Sequence, residues 1–154
     1  MNIIVRGGSK HQQKCVYSIT KYCIQTLMPR MRTIEVNINI CNFSNDSAYG
    51  YCVPSDYADI RRPREFDIEL NKTLPLSELL VTAGHELVHV KQYARGELYQ
   101  STVTRKHRWQ GIWQNDNVAH AELPWEIEAY DKEPKLYNSW CKCNSDVQLP
   151  LVHI

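Results

Sequence analysis

Two histidines, His85 and His89, stand four residues apart with Glu86 between them, in the stretch Thr82-Ala83-Gly84-His85-Glu86-Leu87-Val88-His89-Val90. On a helix this spacing puts both imidazoles on one face, one turn and about 6 Å apart along the axis. Both rings can then reach one metal ion, while Glu86 projects beside a metal-bound water. The five-residue pattern by itself also fits two solvated histidines on an ordinary amphipathic helix. A third ligand elsewhere in the chain separates the two readings. The stretch Leu123-Pro124-Trp125-Glu126-Ile127-Glu128-Ala129-Tyr130 offers one. A two-histidine site needs a carboxylate from a second element, with the fourth position left open for water. Glu126 and Glu128 are both candidates, and both also suit the positive end of a helix that starts at Pro124.

The elements that must position these residues are legible in part. Leu76, Leu79, Leu80, Ala83, Leu87 and Val90 recur every three or four residues, leaving His85 and His89 on a different stripe. Pro75 suits the start of that helix and Gly96, after Arg95, its end, giving roughly 20 residues. Pro134 limits the helix from Pro124 to roughly ten residues. An N-terminal helix is expected from Ser9 to about Met28, with Val16, Ile19, Cys23, Ile24 and Leu27 as its apolar stripe. Thr33 to Ile40 alternates polar and apolar and reads as a strand, as do Ala48 to Val53 and Glu65 to Leu70. Asn42 to Asp46 reads as a turn and Pro54 to Pro63 as a loop, with Arg61-Arg62-Pro63-Arg64 as solvated charge.

Successive strands with short connections favour an α+β fold, a small and mostly antiparallel sheet with helices on one face. The open edge of such a sheet can accept an extended peptide as an added strand in front of the metal. Glu97 to Asn117 carries no clear period. There Arg105-Lys106-His107-Arg108 reads as a solvated basic run, with His107 at the surface, and Trp109 and Trp113 cover either the site or the core.

At 154 residues the chain is most economically one domain, 1–154, with enough length to bury a core without staples. A formal net charge of +1 gives no general reason to expect a nucleic-acid or other polyanionic partner. Met1 to Gly8 holds only Ile3-Ile4-Val5 as an apolar run, which is no secretion signal, and no stretch approaches a membrane span. A soluble chain that stays in the cytoplasm (the host's, if it comes from a phage) is the expectation. The six cysteines, Cys15, Cys23, Cys41, Cys52, Cys141 and Cys143, are then reduced thiols, mostly small buried hydrophobes. Cys141-Lys142-Cys143 has the wrong spacing for a structural zinc pair and no matching partner pair.

His85-Glu86-Leu87-Val88-His89, followed 37 residues later by Glu126-Ile127-Glu128-Ala129, resembles the zincin metallopeptidases of gluzincin type. The likeness is to small phage and bacterial versions, broadly the SprT-like and ImmA/IrrE-like groups. It covers Thr82 to Gly96 and Leu123 to Tyr130. It implies a zincin-like α+β domain with an N-terminal helix, a His-Glu-x-x-His helix and a following glutamate-bearing helix. The glutamate three residues before the alanine, Glu126, maps onto the third zinc ligand beside His85 and His89. Glu128 would then support the ligands or cap the helix. The family often has Asp or Asn after the alanine, where this chain has Tyr130, so the motif leaves the support of the histidines unassigned. The cysteine-rich ribbon that SprT-type proteases use on DNA is not visible here.

The resemblance implies a zinc-dependent peptidase acting on a protein or peptide substrate, with no nucleic acid and no membrane. Zinc lowers the pKa of its water from about 16 towards 7 and polarises the scissile carbonyl. Glu86 takes the proton as that water attacks and hands it to the leaving amine. Tyr130, Tyr137 and His120 are the candidate donors to the oxyanion. The alternative class is a catalytically weak or inactive zincin-fold binding or regulatory protein. Glu86 speaks for the enzyme, because a purely structural metal has no use for a base.

Overall fold

The computed structural model of the chain describes residues 1–44, 48–55, 61–115 and 117–154. In chain order the elements are β1 (Asn2–Gly7), α1 (Lys10–Leu27), β2 (Glu35–Cys41), β3 (Gly50–Pro54), β4 (Glu65–Asn71) and α2 (Leu76–Ala94). Three short strands follow, β5 (Leu98–Gln100), β6 (His107–Trp109) and β7 (Ile112–Trp113), and then α3 (Pro124–Cys143). Single 3-10 turns lie at His120–Glu122 and Ser145–Val147. The turn expected over Asn42–Asp46 and the loop over Pro54–Pro63 fall partly on residues 45–47 and 56–60, outside the described residues.

Alternation in β2 and β4 builds the sheet face. Val36, Ile38 and Ile40 pair in register with Phe66, Ile68 and Leu70, and all six are buried. They meet Val16, Ile19, Cys23 and Ile24 of α1 and Leu79, Leu80, Ala83, Leu87 and Val90 of α2 in one core. Glu35, Asn37 and Asn39 point the other way, as period-two geometry requires. Ser9 starts α1 with a capping box closed by Gln12, each side chain satisfying the other's backbone N–H.

The fold is α+β, but the main sheet is mixed rather than mostly antiparallel. Its order is β1-β2-β4-β3, with β1–β2 and β2–β4 parallel and only β3–β4 antiparallel. Two pairings overturn the expectation. Ile3-Ile4-Val5, too short a run to stand out, forms β1, and α1 then carries the chain back to lay β2 parallel to it. β4 inserts beside β2 and leaves β3 as the outer strand.

The third helix also departs from expectation. α3 runs through Pro134 to Cys143, a length of 20 residues. Pro134 offers no N–H to the Tyr130 carbonyl, at a cost of about 3 kcal/mol. Beyond it, Leu136, Tyr137, Trp140 and Cys141 are buried, and Trp140 Nε1 donates to Ser18 Oγ at 3.0 Å. Each large apolar side chain buried contributes about 1.5–3 kcal/mol, so several together outweigh the proline. The segment without clear period is a second, antiparallel sheet, β5-β6-β7.

Two arginines close helix ends. Arg64 Nη1 donates to the Ala94 carbonyl at 2.7 Å, and Arg95 Nη2 to the Leu27 carbonyl at 2.8 Å. Cations suit that end of a helix. Arg64 is therefore a capping residue and not solvated charge. All six cysteines are free thiols, with Cys15, Cys23 and Cys141 buried. Among the described residues no helix is long and apolar enough to cross a membrane.

Candidate metal centre

Helix α2 touches β3, β4, α1 and α3, so its middle is buried on nearly every side. His85 and His89 lie on the side facing the first turns of α3, each 8 % exposed. Pro124 starts α3 and sets Glu126, 4 % exposed, one turn in. His85 Nε2 lies 3.0 Å from Glu126 Oε2, His89 Nε2 lies 3.4 Å from Glu126 Oε1, and the two Nε2 atoms are 3.1 Å apart.

The opposite nitrogens are already committed. His85 Nδ1 donates to Glu133 Oε2 at 2.7 Å, and His89 Nδ1 donates to Gln92 Oε1 at 2.8 Å. With both rings neutral, each Nε2 turns a lone pair toward the same point as the Glu126 carboxylate. Lone pairs so close repel unless a proton or a metal cation lies between them. Four ligands set tetrahedrally about 2.0–2.1 Å from a metal are roughly 3.3 Å apart. The three observed separations bracket that edge, and His85, His89 and Glu126 form a buried group that could hold a metal ion.

The electrostatics agree. Burial opposes charge on His85, but its bonds to Glu126 and Glu133 outweigh that and hold its pKa up at about 9. Burial likewise disfavours charge on Glu126, yet the two histidines outweigh it and bring its pKa down to about 2. The site is built to hold positive charge, whether a proton or a metal.

Glu86, 5 % exposed, lies beside this group without belonging to it. Burial pushes its carboxyl above the usual range, opposed by His89 and His85 and reinforced by Glu126 and Glu133. It opens onto a cavity of about 1150 Å³ lined by Tyr49–Cys52, the two histidines, Tyr93, His120, Glu126 and Tyr130, among others. β3, the edge strand, forms one wall.

Glu128 points elsewhere. Its Oε1 takes a bond from Lys91 Nζ at 2.5 Å and its Oε2 one from Gln92 Nε2 at 2.9 Å. Of the three oxyanion candidates, two reach the site. The Tyr130 ring lies 4.8 Å from that of His85, and His120 Nε2 is 3.3 Å from Glu126 Oε1. Tyr137 is fully buried and donates to the Pro150 carbonyl at 2.8 Å, which removes it from that role. His107 is not a free surface residue: it is half-buried in β6, its ring lies tilted 5.0 Å from that of Trp125, and it lines the cavity. Trp109 packs near Trp125 at 6.3 Å, while Trp113 is exposed, its ring beneath the Arg108 guanidinium at 5.5 Å.

Sequence reasoning missed Glu133 and Gln92. Glu133 follows Glu126 by seven residues, two helical turns on the same face and inside the helix expected from Pro124, so its interval was a signal available in the sequence. Gln92 follows His89 by three, another same-face interval. Glu133 supplies the support for His85 that Tyr130 does not. Comparison with protein-family models, curated proteins and solved structures finds no match to this chain.

Proposed function

We propose that the chain is a zinc-dependent peptidase, with His85, His89 and Glu126 holding the metal and Glu86 acting as general base. The observation that carries this reading is the pairing of a three-ligand group with a separate buried carboxylate, all lining one cavity. A structural zinc site closes with four protein ligands, whereas a hydrolytic site keeps one position open. His, His and Glu leave the metal a net charge near +1, which preserves its acidity. Bound there, zinc supplies Lewis acidity, activating a water and polarising a carbonyl.

The remaining work falls to the chain. Glu86, its pKa raised by burial, accepts a proton during attack and returns it to the leaving amine. β3 offers its outer edge to an extended peptide, which would hydrogen-bond along the cavity wall beside Glu86. His120 and Tyr130 are the donors available to the developing oxyanion.

The test begins with the metal content of protein purified without added metal. It continues with cleavage of an unfolded protein by wild type and by Glu86→Gln. One zinc per chain is expected, and the variant should keep it while losing about 10²–10⁴-fold in rate. No zinc binding at neutral pH would sink the reading. Equal cleavage by the variant would sink the role of Glu86. Zinc without any cleavage would mark a zinc-binding protein of the same architecture.

A further inference from the structure

Gln92 is fully buried one turn beyond His89. Its Nε2 donates twice, to the Trp125 carbonyl and to Glu128 Oε2, each at 2.9 Å. Both donors are thereby used, and Oε1, which can only accept, faces His89 Nδ1 at 2.8 Å. The proton of His89 therefore sits on Nδ1 and the lone pair on Nε2. Trp125 immediately precedes Glu126, so the same amide also holds the peptide next to the third metal-facing side chain. Glu128 continues the chain of bonds to Lys91, which is 7 % exposed, and Lys91 Nζ reaches Glu97 Oε2 at 2.8 Å, just before β5.

We propose that Gln92 is a positioning residue of the metal centre, setting the tautomer and ring plane of His89 and the placement of Glu126 through one amide group. The position demands one acceptor and two donors in a buried plane. A carboxylate cannot donate, an aliphatic side chain does neither, and Asn carries the same atoms one methylene too short. The proposal rests on the metal-site part of the proposed function and not on peptidase activity.

The experiment measures zinc affinity by chelator competition, together with the absorption spectrum of the cobalt-substituted protein. Wild type is compared with Gln92→Leu, Gln92→Glu and the double variant Gln92→Glu/Glu128→Gln. Loss of a residue that orients a metal-ligating histidine typically weakens binding about 10–100-fold, and that loss is expected for Gln92→Leu. Gln92→Glu alone should lose a similar factor, because two carboxylates then face each other beside the Trp125 carbonyl. The double variant should recover part of the loss: the new carboxylate accepts from His89 and from the new amide at 128, while the Trp125 carbonyl stays without its donor. The cobalt spectrum should broaden in the single variants and sharpen part of the way back in the double.

Thermal unfolding of chelator-treated protein separates stability from metal geometry. Lower stability with zinc affinity within twofold of wild type and an unchanged cobalt spectrum would make Gln92 a packing residue and overturn the proposal. Equal losses in Gln92→Glu and the double variant would overturn it too, and this pair decides if Gln92→Leu does not fold. A wild-type protein that binds zinc but cleaves nothing leaves the proposal standing while the peptidase reading falls. A wild type that binds no zinc overturns both.

Discussion

Gly50 on edge strand β3 faces Glu86 on α2 so closely that a Cβ at position 50 would lie 3.0 Å from Glu86 Oε1 and 2.8 Å from Thr82 Cγ2. The Glu69 carbonyl, part of the β4 backbone, would stand 3.2 Å from the same Cβ. The strand that walls the cavity thus approaches the buried carboxylate at the one residue type that leaves it room. Gly50→Ala should push Glu86 off its position without touching the metal-facing atoms. The expected result is full zinc content, cleavage lowered about tenfold or more, and a stability loss of about 1–3 kcal/mol from overpacking. Unaltered cleavage would show that Thr82 or β3 gives way instead and leaves Glu86 in place.

Glu126 and Glu128 are two residues apart but face different partners. Glu126→Ala should abolish zinc binding at micromolar metal. Glu128→Ala should change zinc affinity by less than about tenfold and instead cost about 1–3 kcal/mol, since buried Lys91 keeps only Glu97. Zinc titration and denaturant unfolding of both variants separate these effects. The reverse ranking would move the third ligand to position 128.

Glu133 supports His85 from the turn that includes Pro134. Glu133→Gln keeps an oxygen acceptor and removes the charge, so zinc affinity should fall about tenfold, the lower end for such supporting groups. Competition with a chelator measures it. No change would mean that the 2.7 Å bond seen here is not maintained when metal is bound.

The pH dependence follows from His85 and Glu126. His85 has its pKa raised to about 9 and must lose its Nε2 proton to bind a metal. Zinc uptake at pH 7 should therefore release close to one proton. Apparent zinc affinity should rise about tenfold per pH unit until about pH 9. Calorimetry in buffers of different ionisation enthalpy reads the proton count. For chelator-treated protein the signs are opposite for the two groups. The raised His85 pKa stabilises the fold fully below pH 6.5, and that contribution disappears as the pH rises through about 9. The lowered Glu126 pKa stabilises it above pH 4.5 and is lost as the pH falls through about 2. The stripped protein should thus lose stability between pH 6 and 9 while the zinc-loaded protein does not. A matching decline in both would place the titrating group outside the site.

Local patterns made several elements legible in the sequence. The four-residue interval of His85 and His89 and the apolar stripe of α2 are properties of one helix, as is the alternation of β2 and β4 of one strand. Each repeats the geometry of its own backbone, so neighbouring residues suffice to reveal it. Tertiary structure decided the rest. Whether β2 lies parallel to β1 depends on how α1 carries the chain back. Whether Pro134 ends α3 depends on burial of Leu136, Tyr137 and Trp140 against distant elements. Glu126 rather than Glu128 faces the histidines because α3 packs on α2 at one rotation, with Lys91 and Gln92 waiting for Glu128. The partners of the two Nδ1 atoms, Glu133 and Gln92, are settled by the same packing. Such choices rest on contacts between residues far apart in the chain, where no local period records them.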